Sequence, residues 1–85
     1  MERSELAILI PAFNEEENIS NVINSVKSFG IPIVIDDGSE DKTALIAINN
    51  GAEVISHNIN LGYESALNTG FHFTKGKNFK FILTI

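Results

Sequence analysis

Apolar residues in this chain fall into short runs, and the segments between the runs repeat apolar residues every three or four positions. The runs at residues 6–10 and 31–35 contain no charged residue, whereas those at 52–56 and 79–85 include Glu53 and Lys80. Continuous apolar runs of this length predict strands that are covered on both faces, as in parallel sheets. The segments between them predict three helices, over about 14–29, 41–49 and 63–74, because their apolar residues return at helical spacing.

The alternation of strand and helix predicts an α/β fold with a mostly parallel sheet and right-handed crossovers. We expect a Rossmann-like β-α-β-α-β-α-β chain with strand order 3-2-1-4. Ligands of such sheets bind at the carboxyl ends of strands, near the point where the order reverses. The segments 11–16 and 36–38 follow the first and second strands, so both are expected to line one crevice.

The sequence also predicts where these elements begin and end, and which helix residues face the core. Pro11 predicts the end of the first strand, since it has no N–H to donate. Asn14 is expected to cap the first helix, and Ser39 or Asp41 the second. The residues expected to face inward from the three helices are Ile19, Val22, Ile23, Val26 and Phe29, then Ala44, Leu45 and Ile48, then Ala66, Leu67, Phe71 and Thr74.

The segment 33–43 combines a β-branched run, two adjacent carboxylates, a glycine and a helix start. A buried strand that ends in Asp36 and Asp37 places acidic groups at the rim of the core. Gly38 allows a sharp turn there, because glycine tolerates positive φ. This layout suits a polar ligand, although similar strand-to-helix turns also occur without one.

Composition and charge exclude several classes of function. The 85 residues make one small domain, 44% hydrophobic, with a formal net charge of −5. The negative charge argues against a nucleic-acid partner. The chain contains no cysteine, which excludes disulfides and thiolate metal sites. With no apolar run of membrane-spanning length, a cytoplasmic protein is expected, with peripheral attachment to the membrane face left open.

Three motifs together resemble the family 2 glycosyltransferases, which include dolichol-phosphate mannose synthases and bacterial cell-surface polysaccharide enzymes. The motifs are Ile10-Pro11-Ala12-Phe13-Asn14-Glu15-Glu16-Glu17-Asn18-Ile19, Val34-Ile35-Asp36-Asp37-Gly38-Ser39-Glu40-Asp41-Lys42-Thr43, and Asn60-Leu61-Gly62-Tyr63 with Ala66-Leu67-Asn68-Thr69-Gly70. The resemblance implies the GT-A fold, a UDP- or GDP-sugar donor and a divalent metal, Mg²⁺ or Mn²⁺.

The resemblance also implies roles for individual residues. Pro11, Phe13 and Glu15 match positions around the nucleoside, and Ile35 and Asp37 match positions at the base. The expected nucleotide-binding set is Pro11, Ala12, Phe13, Glu15, Ile35, Asp37 and Gly38. No catalytic residue and no metal ligand of the family is expected among residues 1–85, because the metal-binding Asp-x-Asp of the family follows the strand that matches 79–85.

The chain departs from the family pattern at Glu64, where a second glycine is common. Gly62 and Gly70 are expected to serve tight helix packing. His57 and His72 lack metal-ligand spacing, so both are expected to be surface or helix residues. A dinucleotide dehydrogenase is disfavoured, because no Gly-x-Gly-x-x-Gly follows the first strand.

Residues 1–85 are therefore expected to form the nucleotide-sugar-binding N-terminal portion of a glycosyltransferase domain. The alternative is a non-catalytic nucleotide-binding or interaction module with the same fold. The apolar fourth strand lies at an expected sheet edge, so self-association, or cover from a further C-terminal portion, is also predicted.

Overall fold

Strands and helices alternate along the chain, and the computed structural model describes all residues, 1–85. The elements are β1 (Leu6–Ala12), α1 (Ile19–Val26), β2 (Ile31–Asp36), α2 (Thr43–Asn49), β3 (Glu53–Ser56), α3 (Tyr63–Thr74) and β4 (Phe81–Thr84), after a 3-10 turn at Arg3–Glu5. All strand pairs are parallel and the order is β3-β2-β1-β4, which confirms the predicted α/β architecture. No helix is long and apolar enough to cross a membrane.

The sheet separates two hydrophobic clusters, because successive strand side chains point to opposite faces. The first cluster joins β1 and β2 to α1 and α2 through Leu6, Ile8, Ile10, Ala12, Ile19, Ile23, Val34 and Ala47. The second joins the same strands to α3 through Ala7, Leu9, Ile33, Ile35 and Ala66. Helices α1 and α2 therefore cover one face of the sheet and α3 covers the other.

β1 continues through Pro11 to Ala12, so the prediction that the strand ends at Pro11 is wrong. The carbonyl of Leu9 accepts the N–H of Ile85, which places this side of β1 toward β4. Backbone groups of a strand alternate between its two neighbours, so the ring nitrogen of Pro11 faces the same side. The β1–β4 ladder pairs Leu6 to Leu9 with β4, so Pro11 lies beyond it and its missing N–H interrupts no hydrogen bond of the ladder.

The first helix begins later than the sequence predicts. α1 starts at Ile19, and Asn14 adopts a left-handed φ of 51° instead of capping it. Asparagine tolerates this conformation better than most residues. Ile19 and Ile23 are buried as expected, whereas Phe29 lies beyond the helix and is exposed.

The predicted inner faces of α2 and α3 are wrong in part. Leu45, Ile48 and Phe71 are exposed, whereas Ala66 and Thr74 are buried as expected. α2 instead buries Thr43 and Ala47, one turn apart. α3 also buries Gly70, where a Cβ atom would lie 2.9 Å from Leu9 Cδ1, so the predicted role of Gly70 in close packing is confirmed.

Candidate nucleotide-binding site

A cavity of about 320 Å³ opens at the carboxyl ends of β1 and β2, beside the start of α3. Its lining residues are Pro11, Ala12, Phe13, Asp37, Asn60, Gly62, Tyr63 and Ala66. The first three come from the end of β1, and the last four come from the start of α3 and the loop before it. The cavity therefore lies at the edge of the sheet where the topology predicts a ligand.

Asp37 follows β2 directly and fastens the loop before α3 to the end of the sheet. Its carboxylate is buried and accepts the N–H groups of Leu61 (2.8 Å, at Oδ1) and Gly62 (2.9 Å, at Oδ2). Its own N–H donates to the carbonyl of Ala12 at 2.8 Å. Asp37 thus links β1, β2 and the residues that lead into α3.

His57 is the third hydrogen-bonding partner of this carboxylate. Its Nδ1 lies 2.8 Å from Asp37 Oδ1, and its Nε2 lies 2.7 Å from Thr69 Oγ1 on α3. Only 11% of the His57 side chain is exposed, so the expectation of a surface or helix residue is wrong for His57. That expectation is confirmed for His72, which lies exposed on α3.

The hydrogen bonds to Asp37 keep its carboxyl group ionised. Burial raises the pKa of Asp37, but the hydrogen bonds from His57, Leu61 and Gly62 outweigh burial and lower the pKa below its ordinary value of 3.8. An ionised carboxylate only accepts hydrogen bonds, at about four lone-pair positions. Three donors occupy three of these positions, which leaves one position on Oδ2 without a donor.

A second polar network, here called the junction, joins the loop after β1 to the loop after β2. Its hydrogen bonds are Asn14 N–H to Ser39 Oγ (2.9 Å), Glu15 N–H to Thr43 Oγ1 (2.8 Å), Glu16 N–H to Asp41 Oδ2 (3.2 Å) and Glu40 N–H to Asn14 Oδ1 (2.9 Å). The Thr43 N–H also donates to Asp41 Oδ1 at 2.9 Å, but the N-cap residue of α2 is Lys42, so the prediction that Ser39 or Asp41 caps this helix is wrong. The junction holds the segment that carries Phe13.

Four of the seven residues predicted to bind nucleotide line the cavity: Pro11, Ala12, Phe13 and Asp37. Glu15 is exposed outside it, and Ile35 lies buried in the second core cluster. Gly38 does not line the cavity but packs closely against the loop before α3, because a Cβ atom there would lie 2.3 Å from the carbonyl carbon of Ile59. The nucleotide-binding roles of all seven residues stay predictions.

The expected set omitted Asn60, Gly62, Tyr63 and Ala66. All four belong to the third motif, and a signal existed in the topology, since residues that follow β3 meet residues that follow β2 at one edge of the sheet. Gly62 does not serve helix packing, because a Cβ atom there would meet nothing within 4 Å. Its φ of 101° favours glycine, and this conformation presents its N–H to Asp37.

Residues 1–85 contain no group of three or more His, Cys, Asp or Glu side chains placed to hold a metal ion. Asp37 and His57, which contact each other, are also bonded to Leu61, Gly62 and Thr69. The donor set of this chain therefore does not fit the divalent metal that the family resemblance implies.

Comparison with known proteins identifies relatives of this chain. A protein of Methanocaldococcus jannaschii described as uncharacterized is 41% identical over 70 residues, which cover 80% of this chain and 29% of that protein. The 4,4'-diaponeurosporenoate glycosyltransferase of Staphylococcus aureus is 43% identical over 53 residues, which cover 59% of this chain and 14% of that protein.

Solved structures of glucosyl-3-phosphoglycerate synthase from Mycobacterium tuberculosis share the fold. One matches with a TM-score of 0.71 and 33% identity over 86% of this chain and 31% of the synthase. Its complex with Mn²⁺, UDP and glucosyl-3-phosphoglycerate matches with a TM-score of 0.73 and 32% identity over 87% of this chain and 30% of the synthase.

The chain spans less than a third of the length of each of these relatives. The family model for glycosyl transferase family 2 nevertheless matches residues 7–85, which is nearly the whole chain. With a Rossmann-like sheet that matches the GT-A fold of solved relatives, this chain belongs to glycosyl transferase family 2.

Proposed function

We propose that this chain is the nucleotide-binding portion of a glycosyltransferase and that its cavity holds the nucleoside of a UDP- or GDP-sugar. The observation that carries the proposal is the convergence of an ionised acceptor, Asp37, with two exposed aromatic rings at one cavity. Membership of the family over residues 7–85 supports it, as does the likeness to a synthase solved with UDP and Mn²⁺.

The aromatic rings offer a surface on which a base stacks. Phe13 is 43% exposed and Tyr63 is 58% exposed, and both line the cavity. Stacking of a base on an aromatic side chain contributes about 1–3 kcal/mol and accepts any base. Phe13 and Tyr63 therefore supply affinity for a nucleoside without choosing among bases.

Asp37 is expected to discriminate among the bases. Its remaining lone pair can accept a hydrogen bond, and the ionised carboxyl group has no hydrogen to donate. Uracil and guanine carry a ring N–H, whereas cytosine and adenine carry an acceptor nitrogen at the corresponding position and can donate only from the exocyclic amino group beside it. We therefore expect UDP and GDP to bind better than CDP and ADP.

The affinity of the isolated chain is expected to be weak, with a dissociation constant on the order of a millimolar. Asp37 lines the cavity, and Glu64 lies on the first turn of α3 next to the lining residue Tyr63, so both carboxylates would repel a diphosphate bound there. Residues 1–85 provide no metal ligands that would offset this repulsion.

An NMR titration with UDP, GDP, CDP and ADP tests the proposal. UDP or GDP should move the amide signals of residues 12–13, 37–38 and 60–63, and Phe13→Leu should weaken binding. Phe29→Leu removes an aromatic, exposed side chain away from the cavity, and should leave binding unchanged. Scattered shifts, no shifts at millimolar ligand, or equal binding of all four nucleotides would contradict the proposal.

We also propose that residues 1–85 alone bind the donor without transferring its sugar. In the family a divalent metal assists departure of the diphosphate, and electrostatic stabilisation of this kind is a dominant catalytic term. A radiolabelled UDP-sugar or GDP-sugar incubated with the chain and Mg²⁺ or Mn²⁺ should stay intact. Turnover above the protein-free background would contradict the proposal that the chain alone transfers no sugar.

A further inference from the structure

His57 does not line the cavity, yet its ring connects elements that surround it. Nδ1 contacts Asp37 at the end of β2, and Nε2 contacts Thr69 on α3. The backbone N–H of His57 donates to the carbonyl of Asp36 at 2.9 Å, which fixes the residue at the end of the β2–β3 ladder. The residue is thus held from three directions, with its Nδ1 aimed at the one carboxylate in the cavity wall.

We infer that His57 is a positioning residue of the nucleotide pocket, which orients the Asp37 carboxylate through a hydrogen bond from Nδ1. The inference rests on the proposed function for the identity of the ligand. Its structural part is independent of any ligand, because His57, Leu61 and Gly62 contact Asp37 in the free chain.

The carboxylate needs such a partner because rotation about χ2 of aspartate is only weakly restricted. His57 and Leu61 both donate to Oδ1, whereas Gly62 alone donates to Oδ2. This unequal distribution leaves the open lone pair on Oδ2. Without the His57 donor, Oδ1 and Oδ2 would each have one backbone donor, and the group would lose the contact that distinguishes them.

The contact also defines the tautomer of the ring. Asp37 only accepts, so the hydrogen must lie on Nδ1 of His57. In this tautomer Nε2 is an acceptor, and the Thr69 hydroxyl donates to it. The arrangement resembles the way a second partner orients a ligating or catalytic histidine, but here the oriented group is the carboxylate.

Two near-isosteric variants separate the two contacts of His57. The side-chain amide of asparagine reaches roughly the position of Nδ1, and that of glutamine reaches roughly the position of Nε2. His57→Asn therefore keeps a donor for Asp37, and His57→Gln keeps a partner for Thr69. His72→Gln changes an exposed histidine of α3 and serves as the control.

UDP binding should distinguish these variants. His57→Gln should weaken UDP about tenfold or more, the loss expected for one hydrogen bond to a charged group. His57→Asn should stay within about threefold of the wild type, as a conservative variant that rescues the contact, and His72→Gln should be unchanged. Equal affinities of the Asn and Gln variants would overturn the inference.

The ligand-free chain provides a second readout, so that failure of the inference and failure of the proposed function are distinguishable. The ¹⁵N shifts of the His57 ring should report the Nδ1–H tautomer, and the amide protons of Leu61 and Gly62 should shift in His57→Gln but not in His57→Asn. If these signatures appear and UDP does not bind, the proposed function fails and the arrangement stands. If the ring carries its hydrogen on Nε2, or the two amides respond equally to both variants, the inference fails whether or not UDP binds.

Discussion

The two edge strands of the sheet have equal length and different surroundings. β3 and β4 each contain four residues and pair with one neighbour. The central residues of β3, Val54 and Ile55, pack against the two core clusters. All four residues of β4 are exposed, and its three large apolar side chains retain between 43% and 53% of their surface.

β3 and β4 also differ in the side-chain contacts at their ends. Ser56 and His57 at the end of β3 hydrogen-bond to Asp36 and Asp37 at the end of β2. β4 pairs with β1 through its backbone, and three of its four side chains are hydrocarbon groups that cannot form a hydrogen bond. Backbone pairing is therefore enough to form an edge strand, whereas covering helices and polar contacts at its end determine whether that edge contributes to the core and to the site.

The largest expected effect comes from Gly38, on the β3 side. Its φ is +75°, and a Cβ atom would lie 2.3 Å from the carbonyl carbon of Ile59 and 2.4 Å from the nitrogen of Asn60. Gly51 has a similar φ of +89° but open space around it. We expect Gly38→Ala to cost about 3 kcal/mol or more in unfolding free energy, and Gly51→Ala about 1 kcal/mol from backbone strain alone. Equal losses in urea denaturation would contradict the close approach of the loop to Gly38.

Asp37→Asn should have the next largest effect. The amide keeps the size of the side chain but loses its charge, and its NH₂ group faces N–H donors from His57, Leu61 or Gly62. Since hydrogen bonds to charged groups are worth about 1.5–3 kcal/mol each, we expect a loss of roughly 2–3 kcal/mol. Asp41→Asn in the more exposed junction should cost less, and chemical denaturation of both variants checks the order.

The lowered pKa of Asp37 gives a pH dependence of defined sign. The folded chain binds this proton less tightly than the unfolded chain, so the contribution of Asp37 is complete above about pH 5 and is lost as the pH falls through 3.8 toward the lower folded value. The lowered pKa of Asp41 acts in the same direction. Asp37→Asn should therefore lose less stability than the wild type between about pH 5 and 3. A parallel decline in both proteins would contradict this assignment.

A matched pair of truncations compares the two edges directly. Ile55 on β3 packs against the second cluster, whereas Ile82 on β4 is 43% exposed. We expect Ile55→Ala to cost about 2 kcal/mol and Ile82→Ala less than about 1 kcal/mol, because the first side chain has more surface removed from water. Thermal or urea unfolding measures both, and the comparison fails if Ile82→Ala is the more damaging change.

The smallest effect on stability is expected at the exposed face of β4, where association is the relevant readout. An open edge with large apolar side chains tends to pair with another chain, so we predict that the 85-residue chain self-associates at tens of micromolar. Leu83→Lys should reduce this association, and Glu53→Lys on β3 should not. Sedimentation equilibrium that shows only monomer for the wild type would rule out the prediction.

Much of the fold follows from local pattern. The apolar runs locate all four strands, and the central strands β1 and β2 are buried on both faces, as expected for a parallel sheet. The edge strands β3 and β4 are located by shorter apolar stretches and stay partly or wholly exposed. The strand order follows from right-handed crossovers together with the expected doubly wound topology. The same topology correctly brings Phe13 and Asp37 to one cavity, although they are 24 positions apart in the sequence.

Other features depend on contacts that periodicity does not contain. The inner face of α2 is set by Thr43, whose hydroxyl accepts the N–H of Glu15 from another loop, so Leu45 and Ile48 turn outward despite their apolar character. The conformation of Gly62 is likewise coupled to its bond with Asp37, 25 positions away.

His57 shows most clearly the difference between what the sequence predicts and what tertiary contacts determine. The sequence by itself determined that a histidine follows the third strand, and its isolation from other metal-ligating residues favoured a surface position for it. Only the tertiary structure decided that this histidine is largely removed from solvent, with 11% of its side chain exposed, because the free energy of burying a polar ring depends on the partners that satisfy both of its nitrogens. Those partners, Asp37 and Thr69, come from two other parts of the chain and meet only when the sheet and α3 have assembled.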